Sequence, residues 1–268
     1  MNNFLEMFSY TFMVRALIVG VLLSLSAALV GVPLVLRKNS MIGDGLSHVG
    51  FGAFAIAAVL GLTPLWFALP VVILTSFFIL RLNENNHITG DSAIALISTS
   101  ALAIGTFVVS LSGSNVDINN YLFGSILSLG TADIIAGIIL SILVIGLYII
   151  CHHKIFAVTF DEPFAKSIGI KTGRFNMIFA ILCSVVIVLG MRLMGALLIS
   201  SLIVFPVLSA KQVAKSYKSV VFLSAIFAVL AFISGLIISY LLNTPTGATV
   251  VLTSLAFFIF SNLLKKIL

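Results

Sequence analysis

Charge is what this chain has least of. Only 8% of its 268 residues are Asp, Glu, Lys or Arg, where a soluble domain carries about a quarter. Hydrophobic residues make up 61%, and mean hydropathy is +1.28. Together these exclude a water-soluble globular domain and leave an integral membrane protein. Cysteine is almost absent: Cys151 and Cys183 fall in or beside apolar runs and form no metal-type spacing. No stretch matches the phosphate loop G-x-x-x-x-G-K-[ST], so the chain is not an ATPase of that type. The G-x-S-x-G and H-E-x-x-H signatures are missing as well. The opening MNNFLEMFSY has neither a basic region nor a small-residue cleavage site, and it does not read as a cleaved signal peptide.

What is present is a series of continuous apolar runs near 20 residues long. Backbone polar groups in lipid must be satisfied within the protein, and runs of this length do so as helices, not as the alternating segments of a barrel. The runs fall at 13–36, 44–60, 64–81, 91–111, 129–151, 174–192, 195–210, 218–241 and 246–264. The expectation is an all-α polytopic bundle of eight to nine spans, forming a single domain over 1–268, with 4–15 either interfacial or part of the first span. Rows of small residues, such as Gly20, Ser24 and Ala28 or Ala27 and Gly31, let helices approach closely in lipid. Pro33 and Pro206 interrupt spans and predict kinks.

The net charge of +6 is distributed by topology. With the loop after residue 151 on the cytoplasmic side, Arg37, Lys38, Arg81, Lys154, Lys166, Lys171, Arg174, Lys211, Lys215, Lys218, Lys265 and Lys266 all fall inside. Only Arg15 and Arg192 fall outside. The positive-inside rule then places the N-terminus and the polar loop 112–120 outside and the C-terminus in the cytoplasm. Basic residues at span ends give no case for nucleic acid.

Two segments carry chemistry. The first is RKNSMIGDGLSHVGFGAFA, 37–55, where Asp44 and His48 sit four positions apart at the head of an apolar run. On a helix such residues share a face, with Cβ atoms roughly 5–6 Å apart. Both side chains ligate divalent metals, and ionisable groups entering a span mark ion or substrate pathways. Gly45, Gly50, Gly52 and Ala53 give a thin helix that neighbouring backbones, or a copy of the same helix, can approach. One pair offers two ligands; two copies about a two-fold axis offer four, which suits zinc, or manganese with added oxygen ligands. The competing reading is local: Asp44 caps the second helix and His48 bonds a carbonyl. The intramembrane location, and the lack of another His–acid pair in a span, favour the metal reading.

The second segment is FDEPFAKSIGIKTGRFN, 160–176, within a cytoplasmic loop at about 152–174. It predicts one short helix, capped by Asp161 or Glu162, with Pro163 in its first turn, Phe164, Ala165 and Ile168 on one face, and Gly169 at its end. An amphipathic helix of this size suits a groove on a partner. The alternative is a loop lying on the membrane surface. Other features are weaker: His87 reads as solvated, His152 and His153 as an interfacial basic cluster with Lys154, Asp133 as a helix cap, and PTGATVVL, 245–252, as a turn opening the last span.

These motifs, with YLFGSIL at 121–127, MGALLISSLIVFPVLSAKQ at 194–212 and TPTGATVVL, give the chain a resemblance to the permease subunits of ABC-type zinc, manganese and iron uptake systems. The resemblance spans most of the chain. It implies that Asp44 and His48 take part in metal passage. It also implies that Asp161, Glu162, Phe164, Ala165, Ile168 and Gly169 form the coupling helix. By that resemblance the chain is a homodimeric permease in a prokaryotic plasma membrane, without enzymatic activity or intrinsic cofactor. It would carry a divalent ion, zinc ahead of manganese or iron. Hydrolysis would come from ATP-binding subunits inside and the metal from a binding protein outside. The reading from another class is an ion-coupled secondary transporter with Asp44 as its proton or cation site; no internal repeat supports it. A scaffold that transports nothing would leave the acid–imidazole pair idle.

Overall fold

The computed structural model describes residues 9–84, 90–112 and 130–267, and these form ten α-helices without a strand. In chain order they are α1 (Thr11–Leu36), α2 (Met41–Val59), α3 (Pro64–Glu84), α4 (Gly90–Ser112), α5 (Thr131–Phe160), α6 (Glu162–Ser167), α7 (Thr172–Met194), α8 (Ala196–Val213), α9 (Tyr217–Leu242) and α10 (Thr246–Ile267). Each predicted span corresponds to one long helix. Eight are long and apolar enough to cross a membrane, and α3 contributes a shorter apolar stretch, Pro64–Ile79. The segment YLFGSIL, the loop 113–120 and His87 lie outside the described residues. From Thr11 onward, the N-terminal segment is part of α1.

Alternation of the long helices gives the bundle two ends. Arg37, Lys38, Lys154, Lys166, Lys171, Arg174, Lys211, Lys215 and Lys218 collect at one end, and Arg15 and Arg192 stand at the other. The central helices are α1 and α7, with 78% of their most apolar window buried, and α2, with 72%. By contrast only 17% of the α4 window and 22% of the α5 window is buried. Their exposed Leu96, Ile104, Phe107, Ile139 and Ile150 form a surface that hydrocarbon can cover.

Helix α5 runs nine residues beyond the end of its apolar run, to Phe160, where the sequence predicts a loop from 152. Tertiary packing is the reason. Ile155 and Val158 are buried, and Phe156 and Phe160 pack their rings on Tyr217 of α9 at 5.0 and 5.9 Å. His152 also lies against Tyr217, at 5.4 Å, so it is part of this aromatic cluster and not simply of a basic interface. The Tyr148 and Tyr217 hydroxyls meet at 3.1 Å beneath it.

Between α7 and α8 the chain turns through Gly195, whose φ of 93° only glycine adopts without strain. Elsewhere glycine is needed for close approach. A Cβ on Gly31 of α1 would lie 2.1 Å from the Ile203 carbonyl oxygen of α8. On Gly52 of α2 it would lie 2.5 Å from the Ala101 carbonyl oxygen of α4. Without a hydrophobic driving force between helices in lipid, such backbone contact is what holds them together. Gly52→Ala is therefore expected to destabilise the protein by about 1–3 kcal/mol through overpacking, read as a lowered Tm in detergent. Gly146→Ala, which meets nothing within 4 Å, is expected to stay within about 0.5 kcal/mol.

Candidate functional site

Helix α2 begins at Met41 with Ser40 in the N-cap position, so Asp44 sits inside the first turn and does not cap it. The glycines around it are used by the chain's own helices. Gly45 and Gly52 face Ile94 and Ala101 of α4, Gly50 faces Met191 of α7, and Gly43 faces Ile203 of α8. Of the two occupants the sequence allows for these thin positions, neighbouring helices or a second copy, the structure shows neighbouring helices of the same chain. At 100° per residue, Asp44 and His48 lie between the α4-facing and α8-facing sides. Their side chains remain 50% and 31% exposed.

His48 Nε2 stands 3.6 Å from Asp44 Oδ2. That is long for a hydrogen bond, but close to the separation of about 3.4 Å that two donors have when they share a tetrahedral ion through bonds of about 2.1 Å. His48 Nδ1 is buried without a hydrogen-bond partner, so the carbonyl contact of the competing reading is not formed. Ser47 Oγ donates to the Asp44 carbonyl oxygen at 2.7 Å and stands 3.4 Å from Ser200 Oγ of α8. Neither serine stands out in the sequence, because only the fold brings Ser200 to Ser47. Among the described residues no group of three or more His, Cys, Asp or Glu side chains could hold a metal together. One chain therefore provides two strong donors and a supporting hydroxyl.

At the Arg37 end, α6 forms as predicted. Asp161 Oδ1 accepts from the Phe164 N–H at 2.9 Å, Pro163 lies in the first turn, and Gly169, with φ of 86°, follows the helix. Phe164 and Ile168 are 57% and 56% exposed, whereas Ala165 is fully buried against the bundle. Residues 162–167 are therefore helical, with the apolar side chains of Phe164 and of the following Ile168 exposed.

Arg37 is the residue that sequence reasoning underrated. Counted there only as a topology signal, its side chain is 18% exposed. Its guanidinium donates to the Val158 carbonyl oxygen of α5 and to Asn176 Oδ1 of α7 at 3.2 Å, and it lies 4.0 Å from Glu162 Oε2 of α6. Asn176 Nδ2 donates in turn to Glu162 Oε1 at 3.2 Å, and Lys166 Nζ stands 3.7 Å from that same oxygen. Burial pulls the guanidinium below its ordinary pKa, and Glu162 opposes the shift. At the other end Asp133, expected as a cap, sits within the first turn of α5 and pairs with Arg192 at 3.4 Å; Gly130 holds the cap position.

The profile of the ABC 3 transport family matches residues 9–265. The chain belongs to the ABC 3 transport family. Its relatives in that family include the manganese import system permease protein ScaB of Streptococcus gordonii, 31% identical over 252 residues that cover 94% of this chain and 91% of ScaB. Another is the high-affinity zinc uptake system membrane protein ZnuB of Haemophilus influenzae, 32% identical over 247 residues covering 92% and 95%. Among solved structures, PsaBC from Streptococcus pneumoniae in complex with Fab superposes with a TM-score of 0.86 at 30% identity, covering 96% of this chain and 94% of that one. Membership in this ABC 3 family makes the chain a multi-pass transport permease.

The cap geometry of α6 yields a local test. Asp161→Ala removes the acceptor for the Phe164 N–H, a loss of about 1 kcal/mol. Amide exchange at Phe164 is expected to quicken by roughly fivefold, measured by hydrogen–deuterium exchange, with α7 amides unchanged.

Proposed function

We propose that the chain is the membrane-spanning permease subunit of an ATP-driven importer of divalent metal ions, and that Asp44 and His48 hold the ion in transit. The observation that carries this reading is the carboxylate–imidazole pair 3.6 Å apart on a face that the chain's own helices leave open. In hydrocarbon that face is costly unless protein or an ion covers it. Two donors are half of a zinc or manganese shell. A second copy related by a two-fold axis brings another carboxylate and imidazole, and the site is completed at the dimer axis. The ion is cargo, and the reading needs no resident cofactor. Relatives named for manganese and for zinc support both ions, and an Asp–His donor set accepts either, as well as ferrous iron. Membership of an ABC family leaves the ion-coupled alternative without support.

The collection of basic residues at the Arg37 end supports placing that end, and the C-terminus, in the cytoplasm of a prokaryotic cell. Helix α6 then faces the ATP-binding subunit, with Phe164 and Ile168 docked in its groove and Ala165 anchoring the helix to the bundle. A metal-binding protein delivers the ion at the Arg192 end. ATP binding moves α6, and a rigid-body rearrangement switches access to the Asp44–His48 site. The site lies in the first two turns of α2, at the cytoplasmic third of the path, where it must bind tightly enough to admit the ion and loosely enough to release it.

Asp44→Ala and His48→Ala are each expected to abolish Mn²⁺ and Zn²⁺ uptake into vesicles holding the complex, with the ATP-binding subunit still co-purifying; normal uptake by both variants refutes the site. Phe164→Asp is expected to release that subunit or to stop its stimulation, and unchanged transport refutes the docking face.

A further inference from the structure

Arg37 lies where four elements meet. Its own backbone follows α1, the helix at the centre of the bundle. Its guanidinium reaches the Val158 carbonyl oxygen in the last turn of α5, Asn176, the fifth residue of α7, and Glu162, the first residue of α6. Asn176 closes the ring by donating to Glu162 at 3.2 Å. Downstream, the chain from Arg37 to α2 is short and hydrogen-bonded at both sides. The Asn39 N–H donates back to the Leu34 carbonyl oxygen at 2.8 Å, the Ile42 N–H donates to Asn39 at 3.1 Å, and Lys38 turns the backbone with a φ of 61°. Asp44 is seven residues from Arg37 along this turn.

The arrangement exceeds what a topology signal requires. A cation that only fixes orientation sits in water or among headgroups, whereas this one is mostly buried. A planar fork with several donors can hold three acceptors on three elements in a fixed geometry, and an ammonium cannot. Coupling between separated sites travels through contiguous contacts whose arrangement both sites bias. Here the contiguous contacts run from the helix proposed to meet the ATP-binding subunit to the helix that carries the candidate ion ligands.

We propose that Arg37 is a positioning residue for transport, the joint through which a displacement of α6 reaches the head of α2 and resets the spacing of Asp44 and His48. The joint rests on the reading of α6 as the docking helix; it does not depend on which metal is carried. Glu162 is the α6 arm of the joint, Asn176 the bridge that keeps Arg37 and Glu162 in register, and the Leu34–Asn39–Ile42 turn the arm that leads to α2.

The test uses the permease co-purified with its ATP-binding subunit, reconstituted into vesicles with the external binding protein, with Mn²⁺ and Zn²⁺ as probes. Ions transported and ATP hydrolysed are measured together. Arg37→Lys keeps the charge and removes the fork; it is expected to lower ions transported per ATP at least tenfold while hydrolysis continues and the ATP-binding subunit stays bound. An unchanged ratio in Arg37→Lys overturns the joint. If that variant fails to assemble, Asn176→Ala decides, because it removes only the half-buried bridge: a tenfold fall supports the joint and an unchanged ratio overturns it. Phe164→Asp separates the two layers. If it releases the ATP-binding subunit while Arg37→Lys transports normally, the joint falls and the docking helix stands. If Phe164→Asp leaves binding and coupling intact, the docking helix falls and the joint falls with it.

Discussion

The free energy of a half-exposed carboxylate at the head of an apolar helix governs much of this structure. A carboxylate within a span is costly unless it is paired or covered, and Asp44, in the first turn of α2, is half exposed in the isolated chain. Nearly everything else on α2 is glycine, alanine or a buried apolar side chain, and each of those surfaces is already filled by α3, α4, α7 or α8. Repacking within the chain is hindered because Gly52 already lies backbone against backbone on Ala101 of α4, while Gly43, Gly45 and Gly50 are filled by the side chains of Ile203, Ile94 and Met191. The remaining partners for it are an ion and a second protein surface. That is why the same face is read both as ligand set and as dimer face.

Lipid also explains why so much of the fold was legible in the sequence. A hydrocarbon layer demands helices of about 20 residues, so composition alone set nine spans whose ends differ from the observed helices by a few residues, α5 excepted. The exception is instructive. Hydropathy reports where lipid ends, not where a helix ends, and α5 continues to Phe160 because Tyr217, some sixty residues later in sequence, offers an aromatic surface. The site was half legible for the same reason. Spacing put Asp44 and His48 on one face, and capping rules shaped α6 from Asp161 to Gly169, since both are local. What brings Ser200 to Ser47, Arg192 to Asp133 and Arg37 to Glu162 is long-range packing, which a single sequence does not display.

The two arginines near opposite ends of α7 show what such contacts accomplish together. Arg192, in the last turn of α7, pairs with Asp133 in the first turn of α5. Asn176, the fifth residue of α7, is joined through Arg37 to the Val158 carbonyl oxygen in the last turn of α5. Helices α5 and α7 are therefore pinned at both ends, by contacts about 24 Å apart along α7 at 1.5 Å per residue. Between the pins they share ordinary apolar packing. Two helices held this way resist sliding and splaying, and behave as one strut.

A strut of that kind changes how force from α6 would distribute. Helix α6 is covalently continuous with α5 and separated from α7 by only four residues, Ile168–Lys171. Displacing it therefore moves both members of the pinned pair instead of prying them apart. α2 is not pinned to the pair by any ion pair among the described residues; it meets α7 through apolar contacts such as Gly50 with Met191. Apolar contacts in lipid have no directional penalty comparable to a charge-assisted hydrogen bond, so the soft boundary lies between the strut and α2. The rigid part and the yielding part are thus distinguished by bond type. The ring at Arg37 lies on the strut side of the boundary, one short turn of chain from α2, and Asp44 and His48 lie on the yielding side, where a small shift alters the gap between a carboxylate and an imidazole.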